Sequence, residues 1–227
     1  MAAHIDRRRW LALSLGALAA ARFGTATAGP VQQRVLFGSP VDLVLPEGTP
    51  AAVGAQVWQQ LATINTQWNA WKPGALHRLN QAFRAGQAAP VSVGLRHLIE
   101  RAAVLEQASL GLFNPGIGGL VGAWGFHADA LQDGTAPPPA AMQHWMRAAP
   151  SLSQIEFRGN LARSHNRLLQ LDFGAYAKGA AIDATFDALQ RQGVSHALLN
   201  LGGNLATLGQ PGGRPWTVGV RDPNGPG

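Results

Sequence analysis

The stretch LDFGAYAKGAAID, Leu171 to Asp183, changes its periodicity in the middle. Up to Phe173 it reads as the end of a short apolar strand, Leu168 to Phe173, and from about Ala175 to Gln192 its small and apolar residues recur at helical spacing. Gly174 lets the chain turn between the two. The corner also holds the chain's only tyrosine, Tyr176, and Lys178, one of two lysines. A helix that opens here leaves its first N–H groups without intrahelical partners, which attracts anions, and Lys178 adds a positive charge in the first turn. A phosphate-bearing ligand is therefore one reading. The same residues also suit a structural corner, with Lys178 a surface lysine, Tyr176 at the edge of a core and Asp172 hydrogen-bonded to turn amides.

Outward from the corner, short β-type runs are predicted at Gln154 to Phe157, Leu161 to Arg163, His196 to Asn200, Leu205 to Leu208 and Trp216 to Arg221. Near the start, Val35 to Phe37 and Val41 to Leu45 read as strands broken by Gly38-Ser39-Pro40. A helix is expected from a capping Thr49 and Pro50 to about Trp68, with Val53, Val57, Leu61 and Ile64 on its buried face. Another spans Val93 to Ala108, with Leu95, Leu98, Ile99, Ala102 and Leu105 on one side and an i,i+4 pair, Arg96 and Glu100, on the other. A proline-rich connection over residues 128–141 leads to a short helix around Met142 to Ala148. The pattern is strand-rich α+β rather than a regular βαβ winding.

Composition places the chain among ordinary globular proteins: 227 residues, 46% hydrophobic, 13% charged and without internal repeats. The formal charge of +6 suggests an anionic partner only until the first residues are read. Residues 1–28 have a basic start at Arg7, Arg8 and Arg9, an apolar run from Trp10 to Ala21, and Ala26-Thr27-Ala28 as a small-residue cleavage site. Arg8-Arg9-Trp10-Leu11 resembles a twin-arginine export signal, without the usual Ser or Thr ahead of the pair. Removing residues 1–28 takes away four arginines and one aspartate, leaving 14 basic and 11 acidic residues, which makes no case for nucleic acid. The apolar run is too short for a stable membrane anchor. With no cysteine there are no disulfides, no thiol chemistry and no lipid-modified N-terminal cysteine. The expectation is a signal at 1–28 and a soluble, exported, periplasmic domain over 29–227.

Two segments, NAWKPGALHRLN (69–80) and SLGLFNPGIGGLVGAWGF (109–126), carry Gly, Pro, Asn and Trp where ordinary connections are merely polar. Glycine admits close backbone approach and tryptophan offers a flat apolar face, so both read as binding loops; Trp124 suits a core anchor as well. As phosphate motifs the glycines fail. GIGGLVG (116–122) misses G-x-G-x-x-G, and there is no P-loop. NLGGN (200–204) also suits a β-hairpin turn, and GQPGG (209–213) reads as a turn. Asp183 and Asp187 lie one turn apart, but Asp187 precedes Arg191 by four, which suits a solvated face better than a metal site. The histidines show no ligand spacing.

Taken in order, the motifs resemble one family, the ApbE-like FAD:protein FMN transferases, whose members carry Met-Gly-Thr, "STYxPxSxLxxLN", "GxFDPTxGxLVxxWGF", "LDLGGIAKGYAVD", "NxGGD" and "WxVGIRDP". The counterparts are Phe37-Gly38-Ser39, Asn69 to Asn80, Gly111 to Phe126, Leu171 to Asp183, Asn200 to Asn204, and Trp216 to Pro223. The resemblance implies an α+β, T-fold-like architecture with mixed or antiparallel sheets flanked by helices. It also implies Mg²⁺-dependent transfer of FMN from FAD to a Thr or Ser hydroxyl of an exported acceptor protein, with release of AMP. Flavin contacts are then implied at Phe37, Trp71, Leu112, Phe113, Asn114, Gly174 and Ala180, with Lys178 near a phosphate. The metal position falls at Ala177, through its backbone carbonyl because alanine has no side-chain donor. No activated nucleophile of this chain is expected, since the hydroxyl belongs to the acceptor.

Phe37 replaces the family's Met, Trp71 its Tyr, Asn114 its Asp, Ala180 its Tyr and Asn204 its Asp. The aromatic changes keep stacking, and the two asparagines remove charge while keeping hydrogen-bonding capacity. Family members continue past "RDP" into "TSG" and "HIIDPxTG", which carry further metal ligands, whereas this sequence reaches Asn224-Gly225-Pro226-Gly227. The expectation is thus a C-terminally incomplete domain holding one metal ligand of the usual set. A non-catalytic FAD-binding protein, an inactive fragment and an FAD pyrophosphatase are the alternatives.

Overall fold

The computed structural model describes residues 28–127 and 136–219. Residues 1–27 of the expected signal at 1–28, much of the proline-rich connection and the end of the expected strand at Trp216 to Arg221 lie outside the described residues. Along the chain run β1 (Gln32–Leu36), β2 (Ser39–Val44), α1 (Ala51–Gln67), α2 (Ala75–Ala85), β3 (Ala89–Pro90), α3 (Val93–Ala108), α4 (Gly118–Ala123), α5 (Pro139–Ala148), β4 (Ile155–Arg158), β5 (Leu161–Ser164), α6 (Ala177–Arg191), β6 (Ala197–Leu201) and β7 (Asn204–Leu208). Among the described residues no helix is long and apolar enough to cross a membrane. The α+β class holds, with antiparallel sheets.

The chain divides into two units, one of residues 1–57 and 184–227, the other of residues 58–183. In the first, an antiparallel sheet runs β1-β2-β6-β7. Val41 and Leu43 alternate with Asp42 along β2 and are fully buried, as a half-covered sheet requires. On the other face a cross-strand row forms: Gln33 Nε2 donates to Asp42 Oδ1 at 2.6 Å and Asn200 Nδ2 to Asp42 Oδ2 at 2.9 Å. Asn200 Oδ1 also accepts the Gly203 N–H, so NLGGN is the hairpin turn between β6 and β7. The β1–β2 turn falls on Phe37 and Gly38 rather than on 38–40, because a two-residue hairpin places both central residues at positive φ, here 53° and 67°.

In the second unit a smaller sheet, β3-β5-β4, lies with a core built from Leu76, Leu79 and Phe83 of α2, Leu95, Leu98, Ile99 and Ala102 of α3, and Leu169, Leu171 and Phe173. The Arg96–Glu100 pair closes at 2.7 Å on the outer side of α3. On β4 a hydrogen bond from Arg158 holds the Glu156 carboxyl below its ordinary value, a surface pairing outside the corner.

Several expectations are corrected. The segment read as a connection at 69–80 contains the start of α2, whose Leu76, Leu79, Asn80 and Phe83 form an i, i+3, i+4, i+7 face. Gly74 before it is required because a Cβ would run into the Thr66 carbonyl oxygen, and Gly86 at φ 72° closes its end with N–H bonds onto Ala82 and Phe83. Thr49 does not cap α1; its Oγ1 donates back to the Pro46 carbonyl at 2.7 Å. Residues 216–219 form no strand, although Trp216 Nε1 donates to Leu208 O at 3.2 Å.

The run Leu168 to Phe173 joins no sheet, and Leu168 lies in a turn. Its one ladder contact is a parallel bridge of Gln170 with Ile117. The 115–118 backbone matches Gln170 and the Asp172 N–H, and a buried side chain matches Leu171: Asn80 Nδ2 donates to Leu171 O at 2.8 Å, and Leu171 N donates to Asn80 Oδ1 at 2.7 Å. Asn80→Ala leaves both groups buried and unmatched, at about 1–3 kcal/mol each, so a loss of roughly 2–6 kcal/mol is expected in urea unfolding. A loss below about 0.5 kcal/mol, the size of a surface change, contradicts this account.

Candidate functional site

The corner is organised by Asp172. Its N–H donates to Pro115 O at 2.8 Å, and its Oδ1 accepts the Gly174 N–H at 2.7 Å. Its Oδ2 lies 2.7 Å from His127 Nε2, with the two side chains 10% and 21% exposed. Tyr176 and Ala177 both donate their N–H to Phe173 O, which tightens the turn into α6. One of the N–H groups that made this corner an anion candidate is therefore already met by a carboxylate of the chain. Lys178 is half-buried in the first turn of α6.

Trp71 is held in the turn before α2 by Asn69, whose Oδ1 accepts the Trp71 N–H at 3.0 Å and the Lys72 N–H at 2.7 Å. Its indole lies partly on the core and stacks on His127, with centroids 4.9 Å apart and planes inclined by 15°. The indole Nε1 is buried and has no hydrogen-bond partner among the described residues. Phe113 meets Tyr176 edge to face at 6.0 Å. Tyr176, the singleton, is thus a packing residue on the same core. Asn114 spends its amide internally, accepting the Gly116 N–H and donating to Pro150 O, both at 2.8 Å. Leu112 is 93% exposed beside it.

Of the residues singled out, Trp71, Phe113, Ala177 and Ala180 pack on one core, and Gly174 is joined to Trp71 through Asp172 and His127. Phe37 belongs to the first unit, at the β1–β2 turn. Asp172 entered the sequence reading only as a turn acceptor, and His127 carried no ligand spacing. The available signal was Gly118 and Gly122, one helical turn apart, which leave a face of α4 without side chains. The metal position is tested by its donors. Ala177 is the first residue of α6, so its carbonyl takes a helical N–H and keeps one lone pair. Both Asp172 oxygens are engaged, and among the described residues no group of three His, Cys, Asp or Glu is placed to hold a metal ion. These residues fit one oxygen ligand of an Mg²⁺ shell, not a whole site.

A mostly apolar cavity of about 950 Å³ opens elsewhere in this unit, lined by Glu106, Leu120, Trp124, Met142, Trp145 and Met146 among others. Only Asn114 of the predicted contacts borders it.

A family model described as ApbE family matches residues 37–227. The chain belongs to the ApbE family. The FAD:protein FMN transferase of Rhodobacter capsulatus is 38% identical over 222 residues, covering 95% of this chain and 42% of that protein. The FAD:protein FMN transferase of Treponema pallidum is 34% identical over 171 residues, 67% of this chain and 45% of that protein. The chain spans about half the length of the curated relatives it matches. Among solved structures, the flavin transferase ApbE of Vibrio cholerae superposes with a TM-score of 0.74 at 22% identity, covering 87% of this chain and 65% of that one. The ApbE protein of Thermotoga maritima superposes at 0.75 and 20% identity, covering 86% and 64%. These superpositions establish the ApbE fold.

Gly118 is the tightest point of the corner. Its N–H donates to Gln170 O at 2.6 Å, and a Cβ there would lie 2.6 Å from the same oxygen and 3.1 Å from Asp172 Cβ. Gly118→Ala is expected to cost about 1–3 kcal/mol by overpacking a site where backbone must move, read as a lower melting temperature. Gly174→Ala, whose Cβ meets only Asp172 Oδ1 at 3.1 Å, is the contrasting variant and should melt close to the parent.

Proposed function

We propose that this ApbE-family chain carries the flavin-nucleotide site of an FAD:protein FMN transferase. The observation that supports this most strongly is the 38% identity over nearly the whole chain to a protein of that name. In the reaction a Thr or Ser oxygen of an exported acceptor protein attacks the FMN phosphorus of FAD. The phosphoanhydride bond to the AMP half breaks, AMP leaves with its bridging oxygen, and the hydroxyl proton is lost to a base.

The chain's own residues supply binding and orientation for that exchange. Trp71 and Phe113 offer ring faces for the isoalloxazine, with Phe37, Leu112, Asn114 and Ala180 as further contacts. Of these Asn114 has its amide oriented by its bonds to Pro150 and Gly116, which leave one N–H and one lone pair for a ligand. Gly174, exposed at the turn, lets the ligand approach the backbone, and Lys178 balances phosphate charge. Mg²⁺, when bound, neutralises the pyrophosphate and stabilises the leaving phosphate. The Ala177 carbonyl would be one of its oxygen ligands. The signal read at 1–28 would direct the reaction outside the cytoplasm, to the periplasm.

The test is to incubate the full-length protein, and the 227-residue chain beside it, with FAD, Mg²⁺ and an exported protein bearing an acceptor threonine; labelling is expected of the full-length protein. The expected outcome is a fluorescent acceptor band on a denaturing gel and one AMP per flavin attached. FAD cleaved to free FMN and AMP without labelling identifies a pyrophosphatase, FAD bound and unchanged a binding protein, and no binding of FAD refutes the flavin reading. Gly174 is exposed and a Cβ there meets only the Asp172 side chain, at 3.1 Å, so Gly174→Trp should still fold, which its melting curve checks, while FAD affinity falls by at least about ten-fold. Unchanged affinity removes the corner from the site.

A further inference from the structure

We propose that His127 is a positioning residue for the flavin ring: it fixes the Trp71 indole in register with the Gly174 corner, acting through Asp172. The inference rests on Trp71 and Gly174 being flavin contacts, as proposed above, and it concerns a residue with no assigned role.

It begins with the glycine segment that matched no phosphate motif. GIGGLVG leads into α4 and supplies all of it but Ala123, and Gly118 and Gly122 share one face of that helix. A Cβ on Gly118 would meet Asp172 Cβ at 3.1 Å, and one on Gly122 would meet His127 Nδ1 at 2.8 Å. The bare face is the seat of the Asp172–His127 pair.

His127 is then constrained from three directions. Gly122 lies under Nδ1, Asp172 Oδ2 takes Nε2 at 2.7 Å, and the ring plane lies nearly parallel to Trp71 at 4.9 Å. Trp71 needs such a neighbour, because its own N–H is buried without a hydrogen-bond partner among the described residues and does not anchor the ring. The other Asp172 oxygen holds the Gly174 N–H, so a continuous chain of contacts runs Trp71–His127–Asp172–Gly174. It ties the turn before α2, the end of the α4 loop and the entry to α6. A ligand with an aromatic ring at one end and a pyrophosphate further along requires those segments at a fixed separation.

The test compares FAD with ADP, which shares the adenosine diphosphate half and lacks the ring. His127→Ala should weaken FAD binding about three- to ten-fold, the value of one stacked ring pair, and change ADP by less than about two-fold. His127→Phe, which keeps a ring against Trp71 but loses the Asp172 hydrogen bond, and His127→Gln, which keeps a hydrogen-bonding group but no ring, should each recover only part of the lost FAD affinity, since the role needs both contacts. Gly122→Ala, which evicts the imidazole, should give the same selective loss, and the double variant Gly122→Ala/His127→Ala should be no worse than either single one.

Equal losses for FAD and ADP, additive losses in the double variant, or tighter FAD binding by His127→Ala each overturn the proposal, the last by showing that the imidazole occupies the flavin's own place. FAD binding by the parent with no change in any variant refutes the role of His127 alone. Failure of the parent to bind FAD refutes the flavin reading and the inference together.

Discussion

Leu169, Leu171 and Phe173 are each buried to within 1% of full coverage, yet the run that carries them has no strand beside it apart from one bridge. A buried backbone without a sheet must find its hydrogen-bond partners elsewhere. Here they come from the Asn80 side chain, from Gly116 O and Gly118 N on either side of Gln170, and from Pro115 O, which takes the Asp172 N–H. The position of the corner follows from this substitution. Asp172, Gly174 and the start of α6 stand where they do because the preceding residues are clamped between α2 and the 115–118 turn.

That clamp also explains why so many glycines cluster here. Gly118 allows backbone to meet backbone at 2.6 Å, and Gly122 leaves space for an imidazole. Neither serves a phosphate cradle. A carboxylate that accepts one turn N–H and one imidazole is a junction with little freedom left, and its rigidity extends to the aromatic ring stacked beyond it. The apolar core lies beneath these residues and the polar links run along their upper edge, so one set of contacts supplies cohesion and the other supplies geometry.

The long helices were legible because their periodicity extends over enough residues to outweigh local exceptions. α3 was read with both ends correct, and α6 within two residues. α2 was hidden because the Gly, Pro and Trp residues that precede it have loop composition, although its Leu76, Leu79 and Phe83 spacing is as regular as that of α3. The run at 168–173 has the composition of a strand, but it starts in a turn and pairs with the 115–118 segment through a single bridge. Within the site, Gly174, Trp71 and Ala177 came from resemblance of ordered motifs. His127 lies 45 residues from Asp172, and no short-range pattern connects the two.

From the sequence alone came the ApbE-like order of segments, the α+β class and the apolar faces of the principal helices, because these depend on near-neighbour spacing along the chain. Which polar atoms remain available for chemistry was decided by the tertiary structure. Asn114 reads as a hydrogen-bonding contact, but its amide already donates to Pro150 and accepts from Gly116; Asp172 reads as a turn acceptor and proves to join an imidazole to the glycine of the turn. Hydrogen-bonding capacity is a property of a residue, while its availability depends on partners brought in from 36, 45 or 91 positions away. Only packing determines those partners.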